Sequence, residues 1–258
     1  MKERKNAANQ SQYLLSTVDT TLDILSLFLR RNSISASDVA EMLDISRTVA
    51  FRHLYTLCNK GFLNKGSNDK YYLGMRFYSL GRRAFNAKQN NPRVESAIQE
   101  LMKEINETIH LCTWETSSKV ILLNEYIPHQ SLRYTNASNE PRFAHMTSTG
   151  LALLSTMSDE DIDNYIKDTQ FLIRTEYSIK NGNELKEAIK QTKENGYSFN
   201  REMYDEGVIS IAMPIRRSGT YSDFAISISG PASRISKNMD LYIDSLKKCV
   251  SHLNDDYI

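Results

Sequence analysis

The sequence predicts an α+β protein of two domains: a helical N-terminal domain that ends in a β-hairpin, and a C-terminal domain built on a mainly antiparallel sheet. Apolar residues recur at helical spacing in the first 60 residues, whereas strand-like runs dominate beyond residue 109. The charge divides in the same way. Residues 1–90 hold 14 Lys and Arg against 7 Asp and Glu (+7), and residues 91–258 hold 18 against 24 (−6). Unless this asymmetry is chance, the first domain suits a polyanion and the second a different partner.

Three helices are predicted before residue 62. The first, 17–31, carries Val and Leu at helical spacing. Ser35 and Asp38 form a capping-box pattern that begins a short second helix. Ser46 can cap the third helix, which ends at Gly61, a residue type that commonly terminates helices.

Two strand-like runs, 62–65 and 70–73, follow the third helix and flank a turn-rich Gly-Ser-Asn-Asp segment. Helix, helix, turn, helix and hairpin is the order of a winged helix-turn-helix, which we assign to residues 13–74. Lys65 and Lys70 stand on the hairpin, where they could contact the phosphates of a DNA duplex.

The third helix has one side without carboxylates. At about 100° per residue, the side predicted to face the core carries Val49, Ala50, His53, Leu54 and Leu57. His53 on this side is interpreted as a packed histidine. The other side is basic, hydroxylic and aromatic, which favours a helix that enters a major groove rather than an ordinary solvated surface. The side chains predicted to contact DNA from this helix are Ser46, Arg47, Thr48, Phe51, Arg52 and Tyr55.

Two further segments complete the domain organisation. Residues 1–12 are polar, lack the apolar core of a signal peptide and are interpreted as a flexible arm. Residues 75–90 are predicted to form a helix that links the winged helix-turn-helix to the second domain, 91–258.

The second domain alternates strand-like and helix-like runs. Strands are predicted at 109–115, 119–127, 132–135, 197–201, 209–216 and 221–229. Helices are predicted at 94–105, 150–155, after the capping box at 158–161, and at 183–195 and 238–253.

Serines interrupt two otherwise apolar strands of this domain. Ser227 and Ser229 share one face of their strand, and Ser210 lies within a similar run. Buried hydroxyls need hydrogen-bond partners. A small polar ligand would supply them, and so would backbone groups; the residues alone leave both open.

Several classes of function have no support in the sequence. The chain lacks GxGxxG, GxxxxGK[ST], GxSxG and HExxH motifs, and its histidines and cysteines lack metal-ligand spacing. Cys58, Cys112 and Cys249 are an odd number and widely spaced, so we expect a reduced cytoplasmic protein with small buried thiols. No apolar run reaches the length of a membrane span. We expect no cofactor and no metal.

Four segments resemble the IclR family of bacterial transcription regulators, over essentially the whole chain from about Tyr13. The segment SRTVAFRHLYTLCNKGFL resembles the family's recognition helix and wing. RFAHMTSTGLALL, from Arg142, and EGVISIAMPI, from Glu206, resemble its two C-terminal motifs, and SISGP matches a third. Leu151, Ile209 and Ser210 depart from the residues usual in the family.

The resemblance implies a winged helix-turn-helix, a linker helix and a GAF-like effector domain, in a dimer or tetramer that binds operator DNA. It implies an effector pocket against the sheet that uses Ser210, Ser227 and Ser229, with Asn200 nearby. Backbone N–H groups around Thr147, Ser148 and Gly150 would bind an anion. Parts of the second domain are most similar to a family member that controls sugar-acid breakdown, which implies a sugar acid or small carboxylate as effector.

These expectations lead to three hypotheses. The first is a repressor of a carbohydrate or sugar-acid catabolic operon, whose operator affinity is switched by the effector. The second is an activator of the same type. The third, from a different class, is an enzyme that acts on a small sugar acid.

Overall fold

The computed structural model describes residues 14–89, 92–136, 140–215 and 221–255. The flexible arm predicted at 1–12 lies outside these ranges. The chain divides into two compact units, Met1–Asn90 and Asn91–Ile258. In the described ranges, no helix is long and apolar enough to cross a membrane.

The first unit is a winged helix-turn-helix followed by one more helix, as predicted. Its apolar core joins all three helices of the motif to the hairpin. Its elements are α1 (Ser16–Leu27), α2 (Ala36–Met42), α3 (Arg47–Asn59), β1 (Leu63–Lys65), β2 (Tyr71–Leu73) and α4 (Arg76–Gln89).

Local hydrogen bonds fix where these helices begin and end. Ser35 and Asp38 form the predicted capping box at the start of α2. The Ser46 hydroxyl accepts a hydrogen bond from the Val49 N–H and so caps α3. Beyond its end, Gly61 adopts a φ of 72°, a left-handed conformation that costs glycine little.

The second unit contains a six-stranded sheet in the order β5-β4-β3-β8-β7-β6, with every neighbouring pair antiparallel. The strands are β3 (Thr108–Trp114), β4 (Lys119–Tyr126), β5 (Arg142–Phe143), β6 (Ser198–Arg201), β7 (Val208–Ile215) and β8 (Phe224–Pro231). The helices are α5 (Pro92–Ile105), α6 (Ser148–Leu154), α7 (Asp159–Asp168), α8 (Gly182–Asn195), α9 (Ala232–Lys237) and α10 (Met239–Asp255), with a short 3₁₀ turn, Ala144–Met146.

Helices cover both faces of the sheet. Isoleucines of β3, β7 and β8 pack with α5 and α10 in one apolar cluster. The opposite face carries Ala212 and Ala225, which pack with α6, α7 and α8 in a second cluster. Because side chains alternate along a strand, Ser210, Ser227 and Ser229 lie on this second face. Both faces of β7 and β8 are therefore buried.

The prediction of a strand at 132–135 is wrong. This segment has no strand partner, and its carbonyls accept hydrogen bonds from distant side chains: Tyr134 O from Thr108 Oγ1, and Leu132 O from Arg234 Nη2. The strand that pairs with β4 on its outer side is instead β5. The sequence patterns also did not predict α9.

Candidate functional sites

The outer side of α3 is exposed along its whole length. Arg47, Thr48 and Arg52 are exposed, and the Phe51 and Tyr55 rings, 46% and 56% exposed, lie 6.0 Å apart. The opposite side packs into the core through Ala50, Leu54 and Leu57. About half of the surface of each side chain is exposed, so both rings can contact another molecule.

Two residues assigned to α3 from the sequence take different positions. Val49, predicted to face the core, is 38% exposed, because it lies in the first turn, where α3 extends past the core. His53 is half-buried, and its Nδ1 lies 2.8 Å from the Thr21 hydroxyl, which ties α3 to α1. His53 therefore has the packing role that was predicted.

The hairpin carries both predicted lysines on its exposed side. Lys65 Nζ lies 2.7 Å from Asp69 Oδ1, and both side chains are exposed. Lys70 is exposed on the same hairpin. The Lys65 charge is therefore partly balanced within the hairpin, whereas no carboxylate lies on α3 itself.

The start of α4 is attached to the end of α3. Arg76 Nη1 donates a 2.7 Å hydrogen bond to the Lys60 carbonyl, and the Phe62 and Phe77 rings meet edge to face at 5.1 Å. A change in the direction of α4 would therefore be transmitted to the C-terminal end of α3.

A cavity of about 70 Å³ opens on the polar face of the six-stranded sheet. Six of the seven residues predicted to bind the effector line it: Thr147, Ser148, Asn200, Ser210, Ser227 and Ser229. They come from the 3₁₀ turn and α6, from β6, from β7 and from β8, so the fold brings together side chains that are far apart in the sequence.

A hydrogen-bonded chain crosses the floor of the cavity. The Ser229 hydroxyl lies 3.3 Å from His110 Nδ1, and His110 Nε2 lies 3.0 Å from Glu125 Oε1. The hydrogen bond from His110 holds the pKa of Glu125 below its ordinary value. This serine–histidine–carboxylate order has the connectivity of a catalytic triad. Ser229, however, stands on a strand that is paired on both sides, with β3 and with β7, so its backbone neighbourhood is occupied by ladder bonds rather than forming an oxyanion hole.

Two predicted effector residues have structural partners. The Asn200 amide donates to Met146 O and accepts from Met203 N–H, so it holds β6 to the 3₁₀ turn. Gly150 is not among the residues that line the cavity. Its N–H donates to Thr147 Oγ1, and a Cβ at this position would overlap the Ala144 carbonyl oxygen. Glycine is therefore needed there for close packing.

The structure adds lining residues that sequence reasoning missed. Arg142, Tyr134, Tyr204 and Asp205 stand around the cavity with His110. Arg142 begins the segment that carried the family resemblance, and its position four residues before Met146 was the available signal. Tyr134, Tyr204 and Asp205 lie on irregular segments, where no periodicity marks the inward side, whereas His110 lies on β3.

Burial keeps the nearby reactive side chains neutral. It raises the pKa of the Cys112 thiol, at the cavity wall, to about 11. It lowers the pKa of His145, which is packed among Phe143, Tyr165 and Phe171, to about 4. No group of three or more metal-ligating side chains occurs among the described residues.

Two family models match this chain. Residues 17–66 match the IclR helix-turn-helix domain, and residues 91–255 match the bacterial transcriptional regulator IclR C-terminal domain. The regulator KdgR of Dickeya chrysanthemi is 24% identical over 93% of this chain and 79% of its own length. The transcriptional repressor IclR of Escherichia coli is 24% identical over 79% of this chain and 75% of its own length.

A solved structure has the same fold. The IclR homologue from Microbacterium hydrocarbonoxydans, crystallised with 4-hydroxybenzoate, superimposes with a TM-score of 0.79 at 19% identity, covering 93% of this chain and 98% of that one. The C-terminal match alone spans more than half of the chain. With its helix-turn-helix and its effector-binding C-terminal domain, the chain belongs to the IclR family of DNA-binding bacterial transcriptional regulators, and it is not an enzyme.

Proposed function

We propose that the chain represses a catabolic operon by binding operator DNA through the outer side of α3, and that a small polar metabolite in the cavity switches this binding. The observation that carries the proposal is the cavity itself, because serines on a buried sheet face that open onto a hollow have room for a ligand. A sugar acid or small carboxylate is the proposed effector, and an operon for the breakdown of such a compound is the proposed target. Because the target is chromosomal DNA, the proposed location is the cytoplasm.

The coupling is proposed to run through α4. This helix is fixed to the end of α3 by Arg76 and Phe77 and directly precedes the second unit in the chain. An effector that favours one direction of α4 would change the position of α3. Couplings of this kind typically change affinity by about 5–150-fold.

The operator-bound form is proposed to be a symmetric dimer or tetramer. Exposed apolar residues form a stripe along α1 and just beyond its two ends: Leu15, Val18, Leu22 and Leu29. Beside this stripe, Asp19 stands in the first turn and Arg30 follows the C-terminal end. An antiparallel pairing with a second copy would bury the stripe and bring acidic and basic ends together, as a two-fold interface requires.

Fluorescence anisotropy of the full chain on duplexes from its own promoter region tests the proposal. We expect salt-sensitive binding that changes by at least fivefold with one member of a panel of sugar acids and small carboxylates. Ser210→Leu, which fills the cavity, should abolish the response to that compound but leave DNA binding intact. Ser251→Leu, on the exposed side of α10, is the matched control and should keep the response.

A reporter assay decides whether the protein represses or activates its target. In a deletion strain, a reporter driven by the bound promoter should be expressed more strongly than in the parent strain. Lower expression would make the protein an activator. Failure to bind any promoter duplex, with or without metabolites, would refute the DNA-binding role of α3.

A further inference from the structure

Arg142 is held in a fixed orientation at the wall of the cavity before any ligand arrives. Its Nη2 donates to Asn136 Oδ1 at 2.8 Å and its Nη1 to the Tyr134 hydroxyl at 3.3 Å. The guanidinium also lies 3.9 Å from the centroid of the Tyr204 ring. Three contacts on one side chain reduce the conformational entropy that binding would otherwise cost.

One nitrogen of this guanidinium has no hydrogen-bond partner among the described residues. The Arg142 Nε is buried, and no residue in the described ranges accepts a hydrogen bond from it. A buried charged donor without a partner is unfavourable, so an unfilled donor beside a cavity favours a ligand with an acceptor. A carboxylate is the acceptor that matches the planar guanidinium best, because its two oxygens accept two parallel N–H groups.

The remaining charges at the cavity leave this role to Arg142. Asp205 accepts a hydrogen bond from the Tyr134 hydroxyl at 3.1 Å and lies 3.9 Å from Arg174, so its charge is partly balanced at the rim. Glu140 is exposed to solvent. Among the described residues that line the cavity, Arg142 is the one that carries a permanent positive charge.

At the start of α6, one of the backbone N–H groups predicted to bind an anion is already occupied. The Gly150 N–H is already bonded to Thr147 Oγ1, and α6 has only seven residues. A helix this short offers little dipole to an anion.

The cavity volume restricts the ligand further. About 70 Å³ is roughly half of the about 150 Å³ that accommodates benzene in an engineered protein cavity. This space takes a carboxylate and a few neighbouring atoms, and the rest of a larger ligand would lie towards the open side of the cavity. Ser210, Ser227 and Ser229 lie on the sheet face beneath it and can hydrogen-bond to hydroxyl groups of such a ligand.

We infer that Arg142 is the residue that selects the effector, by binding the carboxylate of a short hydroxy acid whose hydroxyl groups face the serines of the sheet. The inference rests on the proposed function, since it assigns a ligand class to the same cavity.

Calorimetric titration of the full chain tests it with three matched pairs: glycolate and glycolamide, lactate and lactamide, glycerate and glycerol. We expect the wild-type protein to bind at least one acid, and to bind it at least tenfold more tightly than its uncharged partner. Arg142→Gln should remove this preference, with a loss of about 10- to 100-fold for the acid. Arg142→Lys, which keeps the charge but not the planar fork, should lose less.

Arg174→Gln is the matched control. Arg174 also stacks on the Tyr204 ring, at 4.2 Å, but does not line the cavity, so this variant should keep the preference for the acid. Thermal melting of each variant establishes that it is folded. If Arg142→Gln does not fold, Arg142→Lys and the acid–amide comparison in the wild-type protein still decide the question.

Three results would overturn the inference: no acid binds, acids and uncharged partners bind equally, or Arg142→Gln keeps the preference. None of these would remove the proposed function, which is decided by the response of DNA binding to metabolites and by Ser210→Leu. Conversely, acid-selective binding that depends on Arg142 but has no effect on DNA affinity would support the inference and refute the switch.

Discussion

The outer side of α3 and the polar face of the central sheet both carry polar side chains, which are exposed on α3 and buried on the sheet. On α3, Arg47, Arg52 and Tyr55 are exposed on a single helix. On the sheet, Ser227 and Ser229 are 1% and 3% exposed, and their neighbours His110 and Glu125 are joined by hydrogen bonds.

This difference matches two kinds of partner. Flexible exposed cations attract an extended polyanion from a distance and adapt to it on contact. Buried, pre-oriented donors and acceptors discriminate between small molecules, because each mismatch leaves a desolvated group without a partner. A mutation on α3 should therefore change affinity for DNA without changing stability, whereas a mutation near the sheet should change stability or ligand choice.

The largest expected effect is on α3. Arg47→Ala combined with Arg52→Ala should lower affinity for the protein's promoter DNA by about 100-fold, since each arginine contact contributes about 1–3 kcal/mol. Anisotropy at constant salt measures the loss, and calorimetry with the effector should show no change. Lys237→Ala with Lys247→Ala removes the same charge from exposed positions of the second unit and should have little effect. Normal DNA binding by the arginine variant would show that this side of α3 is an ordinary solvated surface.

Glycine-to-alanine substitutions should change the free energy of unfolding in opposite directions in the two units. Gly150→Ala places a Cβ against the Ala144 backbone, and overpacking of this kind should lower the free energy of unfolding of the second unit by about 1–3 kcal/mol or more. In α4, Gly81 has no atom within 4 Å of an added Cβ, so Gly81→Ala should raise the stability of the first unit by about 0.5–1 kcal/mol. Denaturant titration of the full chain measures both changes in the free energy of unfolding. Equal changes for the two variants would contradict the prediction.

The two regions also differ in how far the sequence predicts them. The exposed side of α3 follows from a helical period of 3.6 residues within a single segment. This prediction failed only at Val49, in the first turn. Strand alternation placed Ser227 and Ser229 on one face in the same way, and the register of β7 and β8 puts Ser210 on that face too.

The rest of the cavity could not be predicted by periodicity. Tyr134 lies on a segment whose carbonyls accept hydrogen bonds from residues far away in the sequence. The Tyr134 carbonyl accepts from Thr108, 26 residues away, and the Leu132 carbonyl accepts from Arg234, 102 residues away. Such contacts depend on the path of the whole chain, so a local pattern gave a strand that does not exist. For Arg142 the available signal was its place at the start of the segment that carried the family resemblance, and no periodicity marked it.

The pH dependence of stability should come from the buried region. Burial lowers the pKa of His145 to about 4, from an ordinary value of 6.5. As the pH falls below 6.5, the unfolded chain gains a proton that the folded chain does not accept until about pH 4. The free energy of unfolding should therefore fall by about 2 kcal/mol between pH 7 and pH 5. His145→Gln should flatten this dependence, whereas His129→Gln, at an exposed position, should keep it. An unchanged slope in His145→Gln would mean that other groups cause the dependence.

The smallest expected effect is on the wing. Lys65 is exposed and paired with Asp69, and exposed pairs are easily exchanged for a phosphate contact. Lys65→Gln should make the dependence of log affinity on log salt less steep by about 0.9, the value for one phosphate contact on duplex DNA, with a smaller loss of affinity than the arginine variant shows. Asp69→Asn should act in the opposite direction, because it releases Lys65 from its partner within the hairpin. If both variants keep the wild-type salt dependence, the hairpin does not touch the DNA backbone, and the polyanion surface of this unit is confined to α3.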